Sequence, residues 1–100
     1  MYGTVCRFRI KPGMEAQLAK VTAEFDRVSV MGQQSEIVYQ MDNNPNDYIL
    51  VVIFDSEEAY KRNAASPDQA MRYQMFREVL AEDPEWNDGH IVHSRMRETV

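Results

Sequence analysis

One thiol and two imidazoles are the side chains in this sequence whose types most readily suggest catalysis or metal binding. Cys6 would need a neighbouring cation or a helix N-terminus to lower its pKa before it could act as a nucleophile. The adjacent Arg7 points to the opposite face of any strand that holds both residues, because strand side chains alternate. Cys6 is therefore predicted to be a buried, unreactive thiol.

The spacing of the two histidines, His90 and His93, does not allow them to bind one metal ion together. They are three positions apart in a predicted strand and so face opposite sides. The acidic segment 42–47 lacks the Asp-x-Asp-x-Asp-Gly spacing of a calcium loop, and its Asn, Asp and Pro content is typical of a turn. No metal site is expected. His90, next to Gly89, could still accept a proton at the mouth of a pocket.

The length, net charge and cysteine content of the chain indicate what kind of protein it is and which partners are disfavoured. The chain has 100 residues and a net charge of −5, which favours a single domain over residues 1–100. An acidic chain with dispersed basic residues disfavours nucleic acid and anionic membranes as partners. No apolar stretch approaches the roughly 20 residues of a membrane span. With one cysteine, no intrachain disulfide can form, and a cytoplasmic location is expected.

The first half of the sequence predicts, in order, a strand, a helix and two further strands. Residues 2–10 alternate as a strand does, and Lys11-Pro12-Gly13 ends that pattern. A helix is predicted next from one apolar stripe at helical spacing: Met14, Leu18, Val21, Phe25 and Val28. Residues 36–41 alternate again, and the turn formers 42–47 connect them to the apolar run 48–54 as an antiparallel hairpin.

The second half predicts a helix pair and a last strand. Asp55 or Ser56 can cap a short helix, and Ser66-Pro67-Asp68-Gln69 is a strong start signal for another. Tyr73, Phe76 and Leu80 form the apolar stripe of this helix, which Asp83-Pro84 is expected to end. A turn at Asp88-Gly89 then leads into a predicted strand from His90 to about Met96.

This order of elements predicts an α+β, ferredoxin-like split βαβ fold with a four-stranded antiparallel sheet. Right-handed crossovers place both helical connections on the same face of the sheet. The run 48–54 is apolar at every position, so both faces of that strand are expected to be covered. The face without helices is therefore predicted to pack on a second sheet, most simply that of an identical chain.

The chain resembles the dimeric α/β-barrel proteins of the antibiotic biosynthesis monooxygenase type over nearly its whole length. The segments that carry the resemblance, in order, are Ile10-Lys11-Pro12-Gly13-Met14-Glu15, Asn46-Asp47-Tyr48, Phe54-Asp55-Ser56-Glu57-Glu58-Ala59-Tyr60, Ala65-Ser66-Pro67 and Gly89-His90-Ile91-Val92. The resemblance implies a homodimer formed through the sheet face. It also implies a pocket between the sheet and the helices of each protomer. Some relatives oxidise aromatic polyketides without a bound cofactor, and some degrade haem.

For this family, the resemblance implies a cofactor-independent monooxygenase acting on an aromatic or polyketide-like small molecule. Such chemistry needs a dry pocket and a group that takes or shares a phenolic proton. Tyr73 and Asn63 are the expected polar, catalytic anchors. The expected lining of the pocket is Cys6, Phe8, Tyr39, Met41 and Phe76, with Trp86 and His90 as further substrate contacts. The alternative role of Trp86 is to anchor the last strand, and Tyr73 and Asn63 could be ordinary satisfied polar groups of the core.

Other activities are disfavoured by the residues present. The Asn, Trp and His of the haem-degrading relatives fall here near Cys6, Asn63 and Tyr73, so none of the three matches. An RNA-recognition domain would have basic and aromatic residues on its middle strands, which the run 48–54 does not. A metal chaperone would need Cys-x-x-Cys, and the loop 11–13 is too short to cradle a phosphate. The alternative function is a non-catalytic dimeric module that binds a small ligand or regulates a pathway.

Overall fold

The computed structural model of the chain describes residues 1–97, and positions 98–100 of the predicted domain lie outside the described residues. Four antiparallel strands form one sheet in the order β2-β3-β1-β4, and three helices connect them. The elements are β1 Tyr2–Arg9, α1 Glu15–Asp26, β2 Gln33–Gln40, β3 Asp47–Phe54, α2 Glu57–Ala64, α3 Pro67–Val79 and β4 Glu85–His90. The predicted α+β ferredoxin-like fold is confirmed.

The core lies between one face of the sheet and the helices. Even-numbered positions of β1 and β3 point to this face, which is why their burial alternates along β1. Phe8 of β1 stacks on Tyr48 of β3 at 5.3 Å between ring centroids, and Phe76 of α3 meets Phe8 edge-on at 4.9 Å. Leu18 and Val21 are the buried positions of α1. Met14 and Phe25 of the predicted stripe pack against this core, whereas Val28 lies beyond the end of α1 and is 42% exposed.

The other face of the sheet carries an apolar patch that is uncovered in the single chain and is bordered by Arg7 and Arg9 of β1. It is formed by odd-numbered positions, among which Val5 is 44% exposed, Ile37 51% and Tyr39 47%. Val51 lies in the same row, paired with Val5 on one side and Ile37 on the other. We call Val5, Ile37, Tyr39, Ile49, Val51 and Ile53 the outer sheet face.

Local hydrogen bonds explain where the second and third helices begin. The Ser56 hydroxyl accepts a hydrogen bond from the Ala59 backbone N–H at 3.1 Å, so it caps α2. Ser66 caps α3 in the same way through the Gln69 N–H, also at 3.1 Å, with Pro67 at the first helical position. The helix starts predicted from these residues are confirmed.

The last strand lies earlier in the chain than predicted. β4 covers Glu85–His90, whereas the sequence pattern indicated a strand from His90 to Met96. The strand is at the edge of the sheet and all six of its residues are exposed, so it carries no apolar alternation that a sequence pattern could reveal. The helix before it also ends earlier, at Val79 rather than near Asp83-Pro84, because Leu80 is extended and bridges Ile10 of the first strand's end.

Candidate active site

A cavity of ≈ 630 Å³ lies between the sheet and the helices. The sheet contributes Thr4, Leu50 and Val52 from its two central strands, and Trp86 from β4. All three helices contribute to the opposite wall, including Phe25 of α1, Asn63 of α2, and Tyr73 and Phe76 of α3. The walls are therefore largely apolar and aromatic, with a few polar groups set into them.

Four of the side chains predicted for a binding site lie together on this cavity: Asn63, Tyr73, Phe76 and Trp86. The Tyr73 ring lies 6.4 Å from the Phe76 ring and 6.4 Å from the Trp86 indole, measured between centroids. Because Asn63 lies on α2 and Tyr73 on α3, the turn between the two helices brings the two predicted polar anchors to the same cavity. Trp86 forms part of the cavity wall although it lies on the edge strand.

Two predicted lining residues, Cys6 and Phe8, lie in the packed core and do not reach the cavity. Phe76 and Tyr48 cover Phe8, and Cys6 has no exposed surface. Burial raises the pKa of the Cys6 thiol to about 12, and the nearby carboxylates of Glu85 and Asp88 add to the rise. A thiol held in this protonated form is a poor nucleophile, as the sequence predicted.

The predicted position of Tyr39 and Met41 in the pocket is wrong. Tyr39 pairs with Ile49, so its side chain lies on the outer sheet face, opposite the cavity. Met41 follows the end of β2, and its backbone N–H donates to the Asp47 carbonyl at 2.9 Å, outside the cavity lining. Alternation groups Ile37, Tyr39 and Met41 on one face, but it does not say which face the helices cover.

His90 also lies outside the cavity, at the exposed end of β4. Its ring meets Tyr2 edge-on at 4.9 Å, and its Nε2 is 3.6 Å from Oε1 of Glu57 on α2. These contacts place the imidazole on the surface between β4 and the start of α2. A role at the mouth of the cavity is therefore not supported by its position.

The cavity also contains polar residues that the sequence did not single out. Glu36 of β2 lines it, and burial raises the pKa of this carboxyl, although a hydrogen bond from Gln33 at 3.3 Å opposes the rise. Tyr60 of α2 donates a hydrogen bond to Oδ1 of Asp88 at 2.9 Å. Burial and then this bond raise the pKa of Tyr60 to about 12. Knowledge of strand register would have revealed both carboxylates, because Glu36 pairs with Val52 and Asp88 with Thr4.

This arrangement can bind a flat apolar ring and exchange hydrogen bonds with its substituents. Aromatic side chains from α3 and β4 offer ring surfaces at distances typical of aromatic pairs. Hydroxyl, carboxamide and carboxylate groups offer donors and acceptors. Within residues 1–97, no group of three or more His, Cys, Asp or Glu side chains is arranged to hold a metal ion.

Solved structures share this fold at low sequence identity. One from Caulobacter crescentus CB15 that carries the name of the antibiotic biosynthesis monooxygenases superposes with a TM-score of 0.81 at 15% identity, covering 92% of this chain and 90% of the other. One of the same name from Nitrosomonas europaea gives 0.78 at 12%, covering 93% and 100%. SnoaB from Streptomyces nogalater, a cofactor-independent oxygenase solved as an asparagine-to-alanine mutant, gives 0.75 at 18%, covering 93% and 94%.

The fold and the cavity between sheet and helices define a small α+β protein of the ferredoxin-like class. The family model described as antibiotic biosynthesis monooxygenase matches residues 1–71. The chain belongs to this family. A comparison with curated proteins finds no match. In the part of the chain that the structure describes, no helix has the length and apolar character needed to cross a bilayer.

Proposed function

We propose that this protein is a cofactor-independent monooxygenase that acts on an aromatic or polyketide-like molecule bound between its sheet and its helices. The observation that carries the proposal is the cavity of ≈ 630 Å³ with Asn63 and Tyr73 in its wall. Small-molecule sites usually have volumes of about 300–1,000 Å³ and mostly apolar walls with a few polar groups. Membership of the antibiotic biosynthesis monooxygenase family supports the reaction class.

A reaction without a cofactor limits the substrate to a molecule that supplies every electron itself. An activated ring CH₂ group meets this condition, because CH₂ and O₂ give a ring carbonyl and water. The carbon loses four electrons and O₂ gains four. One oxygen atom stays in the carbonyl, and the other leaves as water with the two hydrogens. A phenol or enol next to the CH₂ makes the ring electron-rich once its proton is shared or removed.

The residues of the cavity have distinct roles in this proposal. Asn63 can donate its carboxamide N–H to the oxygen that becomes negative as the ring loses its proton. Tyr73 can orient the same oxygen with its hydroxyl, while the aromatic walls hold the ring. Glu36 is a carboxylate with a raised pKa, which makes it a stronger base than an exposed glutamate. SnoaB supports the class of reaction by its description as a cofactor-independent oxygenase.

The test is oxygen consumption by the purified protein with a panel of anthrones, naphthols and hydroquinones, without added metal, flavin or haem. We expect at least one compound to be oxidised, and we expect Asn63→Ala and Tyr73→Phe to lower kcat/KM by about tenfold to a thousandfold. Gln74→Ala is the matched control, because Gln74 is exposed on α3 next to Tyr73. Binding of these compounds without oxygen consumption would favour the non-catalytic ligand-binding module instead.

The proposed assembly is a homodimer in which the outer sheet faces of two chains pack together. The single chain exposes 7211 Å², whereas a compact monomer of 11.7 kDa is expected to expose about 5,900 Å². Part of this excess of about 1,300 Å² is the surface of residues 91–97, where Val92 is 96% exposed, and part is the outer sheet face. The unpaired, buried thiol of Cys6 fits the proposed cytoplasmic, reducing location.

A further inference from the structure

Thr4 has a buried hydroxyl without a hydrogen-bond partner. The residue is 3% exposed, lies on β1 and lines the cavity. Its Oγ1 is the one buried side-chain oxygen or nitrogen in residues 1–97 without a partner. Buried polar groups in native proteins are nearly always paired, so an unpaired hydroxyl that faces a cavity indicates a position where a ligand atom can complete the bond.

Two further polar groups lie beside Thr4. Asp88 is directly opposite Thr4 in the β1–β4 pairing, so both side chains point to the helix face. The Tyr60 hydroxyl donates to Oδ1 of Asp88 at 2.9 Å, and all three residues line the cavity. We call Thr4, Tyr60 and Asp88 the hydroxyl cluster.

Packing holds the Tyr60 hydroxyl in place. Its ring meets Phe54 edge-on at 5.5 Å and lies 5.3 Å from the Tyr2 ring, between centroids. The pKa of Tyr60 rises to about 12 through burial and the bond to Asp88, while the nearby Thr4 hydroxyl acts in the opposite direction. The Thr4 effect on the Tyr60 pKa is that of a weak hydrogen-bonding approach between the two hydroxyls. Thr4 Oγ1 nevertheless has no partner at normal hydrogen-bond geometry, because the Tyr60 hydroxyl donates to Asp88.

The chemistry of the hydroxyl cluster selects its ligand group. The Asp88 side chain accepts the Tyr60 hydrogen bond at Oδ1, so Oδ2 remains available to accept another. The Thr4 hydroxyl can donate and can also accept. A ligand hydroxyl group fits this pair, because it can donate a hydrogen bond to Asp88 and accept one from the Thr4 hydroxyl. An ether could not donate a hydrogen bond to Asp88.

We propose that the hydroxyl cluster binds a second hydroxyl group of the ligand, remote from the group held by Asn63 and Tyr73. Trp86 contacts the Tyr73 ring and precedes Asp88 by two residues on the same strand face, which separates them by about 7 Å. The ligand class is thus a fused aromatic compound with hydroxyl groups at both ends. This inference rests on the proposed use of the cavity for an aromatic ligand.

The test is calorimetric titration with 1,5-dihydroxynaphthalene and with naphthalene as its deoxy analogue. We expect Thr4→Val, which keeps the shape of the side chain, to weaken binding of the diol about tenfold and to leave naphthalene unchanged. Thr4→Ser should restore the affinity for the diol. Thr22→Val is the matched control, because Thr22 lies on α1 outside the lining of this cavity.

Asp88→Asn provides a second variant if Thr4→Val does not fold, and it should lower the diol affinity in the same selective way. Equal loss of both compounds, or no loss of either, would overturn the assignment of the hydroxyl cluster. Failure of both compounds to bind the native protein would overturn it as well. If Thr4→Val weakens only the diol while no compound is oxidised, the hydroxyl cluster stands and the proposed monooxygenase activity falls.

Discussion

Burial clearly opposes the ionisation of two groups, the Cys6 thiol and the Tyr60 hydroxyl. Their pKa values rise from 9.0 and 10.0 to about 12 in the folded chain. A group with a raised folded-state pKa contributes stability that is complete below its unfolded pKa and is lost as the pH rises through its folded pKa. We therefore expect the free energy of unfolding to decrease between about pH 9 and pH 12, because the unfolded chain loses these protons first.

Urea unfolding followed by circular dichroism from pH 7 to pH 11 measures this decrease. Cys6→Ala and Tyr60→Phe each remove one titrating group, so each variant should show a shallower loss of stability above pH 9 than the native chain. Thiol labelling gives an independent readout, since Cys6 should react slowly in the folded protein and quickly in denaturant. A native-like slope in both variants would contradict the assignment.

The residues of the site were partly predictable. Tyr73 belongs to the apolar stripe of α3, and the family resemblance points to the position of Asn63; both residues line the cavity. Tyr39 was assigned to the wrong face, because β2 alternates and either of its faces can meet the helices. Thr4 and Asp88 could not be paired by sequence, since their proximity depends on a β1–β4 register that no pattern in β4 reveals.

At the scale of elements, the close approach of β1 and β3 depends on Gly3. A Cβ at this position would collide with the backbone carbonyl oxygen of Val52, and its other near neighbours are also backbone atoms of β3. Since backbone atoms cannot rotate away, the two strands would have to separate. We expect Gly3→Ala to lower the free energy of unfolding by about 1–3 kcal/mol, measured by urea denaturation.

Gly89 is the matched control for this change. It pairs with Gly3 across β1 and β4, but a Cβ built on it meets no atom within 4 Å. Gly89→Ala should therefore change the free energy of unfolding by less than about 0.5 kcal/mol. If the two substitutions had similar effects, the loss of stability would reflect a general cost of alanine in these strands. Separation of β1 from β3 would then not be its cause.

The elements differed in how well the sequence predicted them. β1 and β3 have strong apolar patterns, and α2 and α3 have capping serines, so all four could be predicted. β4 could not, because β1 is its one strand partner and it carries polar side chains on both faces. The strand was predicted too late in the chain because the apolar residues Ile91 and Val92 follow β4.

At the scale of the whole molecule, the apolar run 48–54 now divides into two sets. Tyr48, Leu50, Val52 and Phe54 face the helices and the cavity, whereas Ile49, Val51 and Ile53 belong to the outer sheet face. The chain's own helices account for the first set. The second set has no covering element in residues 1–97, which is the physical basis for proposing a second copy there.

Ile37→Arg tests the proposed dimer with little risk to the fold. Ile37 is 51% exposed in the single chain, so an arginine there can reach solvent unless a partner sheet covers it. In a dimer the charge would be buried without a partner, which is costly. We expect sedimentation analysis to show a dimer for the native chain and a folded monomer for the variant. Val51→Asp, at the centre of the outer sheet face, should disrupt the dimer more strongly or unfold the chain.

Met71→Lys is the control for this experiment. Met71 is 70% exposed, but it lies on α3, on the opposite side of the molecule from the outer sheet face. Its replacement should therefore leave the dimer intact if the sheet forms the interface. A dimer that survives Ile37→Arg and Val51→Asp but dissociates in Met71→Lys would place the interface on the helices. That result would also put the contact between chains next to the cavity, since α3 forms part of its wall.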